Sequence, residues 1–121
     1  MRRRTGSWLT GLLLGTCLSV TTAFAAQLPV AEGDVDVPDF AFRSGEHLPL
    51  RLHYVSVGTP HRDAAGHIDN AVLLLHGTTG NARNFLQPSL ADNLFGPGQP
   101  LDAARIYSVL ADGIGAGGST K

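Results

Sequence analysis

The sequence predicts an α/β fold on a partly parallel sheet: an antiparallel strand pair followed by one βαβ unit. Two apolar runs and the segment between them carry this reading. Ala71-Val72-Leu73-Leu74-Leu75 is apolar without alternation, the pattern of a strand buried on both faces of a parallel sheet. Ile106-Tyr107-Ser108-Val109-Leu110 is a second, weaker run of the same sort. Between them, Phe85, Leu86, Leu90, Leu94 and Phe95 fit one face of a helix spanning Asn81 to Phe95. Pro88 marks a break or a first turn there, and Gly96-Pro97-Gly98 ends the helix.

The preceding pair is written differently. Phe40-Ala41-Phe42 is a short strand, and Ser44-Gly45-Glu46 is a turn. Leu50 to Val57 alternates at Leu50, Leu52 and Tyr54, then slips phase so that Val55 and Val57 become the apolar positions. That predicts a half-buried strand with a bulge near Tyr54. Gly58 to Asn70, polar and holding Pro60 and Gly66, is a loop. Residues 26–39 are acidic, contain Pro29, Gly33 and Pro38, and are expected to be a poorly ordered lead. The domain proper is expected over 40–121. Only 11 residues follow Leu110, too few for the helix that should cover the second sheet face, so the sheet is expected to be incomplete.

Residues 1–25 have the form of a cleavable signal peptide. Arg2, Arg3 and Arg4 precede an apolar stretch of 13 residues, Trp8 to Val20, too short to span a bilayer as a helix. Ala23-Phe24-Ala25 supplies the small-x-small site, with cleavage expected after Ala25 and a secreted or periplasmic destination. The alternative is an uncleaved anchor. Cleavage removes Cys17, the sole cysteine, and leaves 96 residues with 6 basic against 10 acidic side chains, a net charge of −4. That balance argues against nucleic acid and against anionic membrane surfaces as partners, and no stable membrane insertion is expected after cleavage.

The chemistry is expected at His76-Gly77-Thr78-Thr79-Gly80, directly at the carboxyl end of the strongest strand, where open α/β sheets bind ligands. Glycines at 77 and 80 permit a tight turn and close backbone approach. The Thr78 amide is then a candidate donor to a developing oxyanion. The competing reading is a strand-to-helix turn whose glycines serve conformation alone.

These motifs carry a resemblance. His76-Gly77-x-x-Gly80 and Asp112-Gly113-Ile114-Gly115 resemble the α/β-hydrolase superfamily. With Gly58-Thr59-Pro60, Asn70 to Gly80 and Leu94 to Asp102, they resemble homoserine O-acetyltransferase-like proteins, particularly an exported hydrolase branch. The resemblance implies acyl transfer or hydrolysis of a small-molecule ester or acyl substrate by a Ser-His-Asp triad, with no cofactor and no metal. It assigns Thr78 to the oxyanion hole, and His76, Gly77, Thr79 and Gly80 to the turn presenting it. No G-x-S-x-G occurs in the chain, so no catalytic triad residue is expected here. Ser119 follows two glycines but lacks the closing one. Ala116 and Gly118 stand where relatives tend to carry a His and a polar residue, which predicts either ordinary divergence or a loop that no longer braces the site.

Other readings are weaker. Gly113 to Gly118 is a literal G-x-G-x-x-G, but the chain has no room for the helix and acidic residue a dinucleotide site needs. The Gly-Ser-Thr-Lys ending is not the Gly-Lys-Ser/Thr of a P-loop. His47, His53, His61 and His67 lack metal-ligand spacing and are expected at the surface. A non-enzymatic binding piece is the alternative function.

Overall fold

The computed structural model describes residues 27–121; the signal-peptide reading of 1–25, with Cys17 and the Ala25 cleavage site, lies outside the described residues. Strands β1 (Val30–Ala41), β2 (His47–Val57), β3 (Ala71–Leu75) and β4 (Tyr107–Ala111) form one mixed sheet in the order β1-β2-β4-β3. β1 and β2 pair antiparallel, β2 and β4 antiparallel, and β3 and β4 parallel. This is the antiparallel pair followed by one βαβ unit that the sequence predicts. The crossover contains a 3₁₀ helix (Ala82–Leu86) and helix α1 (Pro88–Leu94). Pro88 occupies the first turn of α1, where a missing N–H costs nothing.

The expectation of a poorly ordered lead over 26–39 is overturned from Val30 onward. Those residues form most of a 12-residue strand, paired from Val30 opposite Val57 to Ala41 opposite His47. The stretch looked disordered because it is acidic, yet its acids alternate. Asp34 meets His53 Nδ1 at 2.8 Å and Asp36 meets Arg51 Nε at 2.8 Å, while Glu32 pairs with Arg83. Gly33 faces Tyr54, whose phenol lies so close that a Cβ at 33 would sit 2.5 Å from its oxygen. Pro38 is tolerated because β1 is an edge strand and the register slips between Val37 and Phe40. The bulge is therefore in β1 at Pro38-Asp39, not in β2 near Tyr54. The phase slip in β2 has another cause: Val55, Ser56 and Val57 are all buried, because that end of β2 lies between two neighbouring strands and under the crossover.

The core lies on one face only. Val55, Val57 and Leu110 pack with Ala82, Ala91 and Phe95 from the crossover, joined by Leu74, Phe85, Leu86 and Leu94. On the opposite face, β3 leaves Leu73 61% and Leu75 70% exposed. The two-face burial expected for Ala71–Leu75 is thus not realised, and one sheet face is bare, as the missing second helix layer predicts.

Asn70 sets where β3 begins. Its Nδ2 donates to the carbonyls of Thr59 and Arg105, and its Oδ1 accepts from His61 N–H at 2.8 Å. Beside it, Gly58 has a φ of +92° and passes so close to the Ile106 carbonyl that a Cβ would lie 2.2 Å from the oxygen. Asn70→Ala is expected to lower unfolding free energy by about 2 kcal/mol, since three partners lose a bond. Gly58→Ala is expected to cost more than Asn70→Ala. Urea denaturation followed by circular dichroism measures both, and unchanged midpoints would contradict this account of the strand entry.

Candidate active site

Because β3 and β4 run parallel with Leu75 opposite Ala111, the two chains leave the sheet side by side, and His76 emerges next to Asp112. The candidate site is this pair of exits. In the first, Gly80 N–H donates to the Gly77 carbonyl at 2.9 Å, closing a turn with Thr78 and Thr79 at its exposed tip. Neither Gly77 nor Gly80 has positive φ, so conformational need does not explain them in the expected way. Gly80 is explained by space: a Cβ there would press the His76 Cβ at 3.1 Å, while one at Gly77 would meet nothing. The Thr78 N–H has no hydrogen-bond acceptor among the described residues. Asn81 then opens the 3₁₀ helix, its Oδ1 accepting from Arg83 N–H while Asn84 Oδ1 accepts from Asn81 N–H.

His76 touches both exits. Its Nδ1 lies 2.7 Å from the Gly77 carbonyl oxygen, and its Nε2 lies 2.9 Å from the Gly113 amide nitrogen.

Asp112 is the residue that sequence reasoning undervalued. It is 5% exposed, and its two carboxylate oxygens accept from Ala82 N–H at 2.6 Å and Gly118 N–H at 2.8 Å. Its own amide donates to the His53 carbonyl, and its carbonyl accepts from Ser119 Oγ. One side chain thus joins the start of the crossover to the last loop. Burial pushes the Asp112 pKa up, but the Ala82 and Gly118 amides, with His53 and His76 nearby, push it down further, leaving it below 3.8. Gly117 (φ +51°) passes this carboxylate so closely that a Cβ would lie 1.9 Å from Oδ2.

The last loop is braced even with Ala116 and Gly118 in place. Gly118 lies against the His53 ring, where a Cβ would come within 2.8 Å of Cγ. Thr120 exchanges bonds with the Arg51 backbone, and Ser119 Oγ accepts from His53 N–H at 2.9 Å. Ser119, 4% exposed and bonded through both lone pair and proton, is a structural residue. Four amides of the G-x-G-x-x-G run are already bonded within the protein, Gly113 to His76, Gly115 to the Thr120 carbonyl, Ala116 to the Gly113 carbonyl and Gly118 to Asp112, which leaves them unavailable to cradle a phosphate. His47, His61 and His67 are exposed beside Asp39, Asp69 and Asp63. His53 departs from the surface reading: it is half-buried under Gly118. No cluster of three metal-ligating side chains occurs among the described residues.

No family model matches the chain. Curated proteins do. It is 36% identical over 94 residues to a homoserine O-acetyltransferase of Solidesulfovibrio magneticus, covering 71% of this chain and 22% of that protein. It is 44% identical over 81 residues to one of Moorella thermoacetica, covering 60% and 21%. Among solved structures, homoserine O-acetyltransferase from Bacillus anthracis superimposes with a TM-score of 0.56 at 20% identity, over 69% of this chain and 23% of that one. A crystallised esterase gives 0.54 at 23% identity, over 69% and 24%.

The chain shares the fold of these structures over the part it has in common with them, and its sequence is similar to those of homoserine O-acetyltransferases. It spans about a fifth of the length of the curated relatives it matches. In this segment the exits of β3 and β4 are cross-linked by Asp112 and His76.

Asp112→Asn is expected to cost about 2–4 kcal/mol, because an amide NH₂ would face one of two buried N–H donors. The folded pKa is depressed, so the stabilisation is complete above the ordinary value of 3.8 and lost as pH falls through the lower folded value. Urea titrations from neutral pH into this acid range are expected to show wild type losing part of its advantage over the variant. A constant difference across that range would contradict the assignment.

Proposed function

We propose that this chain is the N-terminal part of an exported serine hydrolase or acyltransferase of the α/β-hydrolase fold. In the whole protein a Ser-His-Asp triad transfers an acyl group from a small-molecule ester or acyl donor, to water or to an acceptor hydroxyl. The observation that carries the reading is the Thr78 N–H: without an acceptor, on an exposed turn, at the carboxyl end of a parallel strand. An amide so placed can donate to the oxyanion of a tetrahedral intermediate. The Gly77 and Gly80 turn supports that amide, and Thr79 stands beside it at the tip. The likeness to homoserine O-acetyltransferases supports acyl transfer, and the likeness to an esterase fold is compatible with hydrolysis. The Arg2 to Ala25 leader supports export. The chain alone holds no G-x-S-x-G and is inactive on this reading.

The genomic sequence past the Lys121 codon, in any frame, is expected to encode G-x-S-x-G followed by Asp and His. Purified 121-residue chain is expected to release no alcohol from an activated ester above the buffer rate, whereas burst release would reveal an overlooked nucleophile. In the triad-bearing protein, Thr78→Pro removes the N–H at a turn position that proline tolerates. It is expected to lower kcat about 10²–10³-fold with little change in KM. Unchanged kcat would remove Thr78 from the oxyanion hole.

A further inference from the structure

We infer that His76 is a positioning residue, held as the neutral Nδ1–H tautomer, whose ring clamps the β3 exit to the β4 exit and so aims the Thr78 amide. Two bonds fix the ring chemistry independently. A carbonyl oxygen only accepts, so the 2.7 Å contact from Nδ1 to the Gly77 oxygen places the proton on Nδ1. A backbone amide only donates, so the 2.9 Å contact from Gly113 N to Nε2 places a lone pair there. Both demands are met by one species, the neutral ring with its proton on Nδ1. A proton on Nε2 would set two donors against each other and open the clamp.

The aim follows from peptide geometry. The Gly77 carbonyl takes two donors, the His76 ring and Gly80 N–H at 2.9 Å. In a trans peptide the carbonyl and the following N–H point in opposite directions, and no described peptide is cis. Fixing the Gly77 carbonyl therefore turns the Thr78 N–H away from the ring and the turn interior. Gly80 leaves room for this, and Gly113 lies in contact range of the ring. A Cβ on Gly80 would crowd the His76 Cβ at 3.1 Å, whereas one on Gly113 would make ordinary contact with ring Cε1 and Nε2 at 3.6 Å.

The aiming part of this inference rests on the oxyanion reading of Thr78; the clamp does not. Long-range ¹H–¹⁵N NMR of the 121-residue chain at neutral pH reads the tautomer without any substitution. It is expected to show protonated Nδ1 and bare Nε2, and an Nε2–H ring or an imidazolium would overturn the inference. His76→Phe keeps a planar ring without the two bonds and is expected to speed Gly113 amide exchange at least about tenfold. His76→Gln, which offers both a donor and an acceptor, is expected to restore part of the protection. Equal Gly113 exchange in wild type and His76→Phe would also overturn it. In the triad-bearing protein, His76→Phe is expected to lower kcat with KM little changed. If the tautomer and exchange results hold but Thr78→Pro leaves kcat intact, the clamp stands and the oxyanion reading fails.

Discussion

The Asp112 carboxylate is the interaction on which the arrangement of the site depends. Parallel strands place their carboxyl ends side by side, but they do not decide how the chain continues from each. Here one buried anion accepts an amide from the start of the crossover and another from the last loop. A carboxylate taken from water is tolerated only if its lone pairs are used, and both oxygens are. The space that the carboxylate and the His53 ring take up explains Gly117 and Gly118. A side chain at 117 would occupy the carboxylate's space, and one at 118 would occupy that of His53. His76 adds a second link between the exits through Gly113. With both exits tied, the turn carrying Thr78 is the part of the site left free to meet another molecule.

The sheet surrounding this site is finished on one face and open on the other. The crossover covers Val55, Val57 and Leu110, whereas Leu73 and Leu75 project from the uncovered face of an edge strand. Exposed leucines beside unpaired strand amides invite association, and natural sheets ordinarily cover or close such edges. The relatives are several times longer than this chain, which accords with a sheet whose bare face and β3 edge belong against further structure.

Much of this was legible in the sequence, and the failures have physical causes. The unbroken Ala71–Leu75 run and the apolar face of the crossover are strong signals, and the sheet follows them. β1 was missed because Glu32, Asp34 and Asp36 resemble a solvated acidic lead when cross-strand partners are invisible. Their period of two was the available signal, since His53 and Arg51 stand opposite. The turn after β3 follows from its position in the fold, although Gly80 acts through the space it leaves beside His76, and neither Gly77 nor Gly80 has positive φ. In the sequence Asp112 stands out only as part of the Asp112-Gly113-Ile114-Gly115 motif. Its burial comes from amides 30 residues upstream and 6 downstream, a convergence that no local pattern announces.

The central claim is that a single carboxylate holds the two exits together, and native-state hydrogen exchange tests it most directly. The Ala82 and Gly118 amides, far apart in sequence, are expected to share strong protection and to lose it together as pH falls below the Asp112 pKa. Protection of one without the other, or exchange of either at the rate of an unstructured peptide at neutral pH, would contradict it.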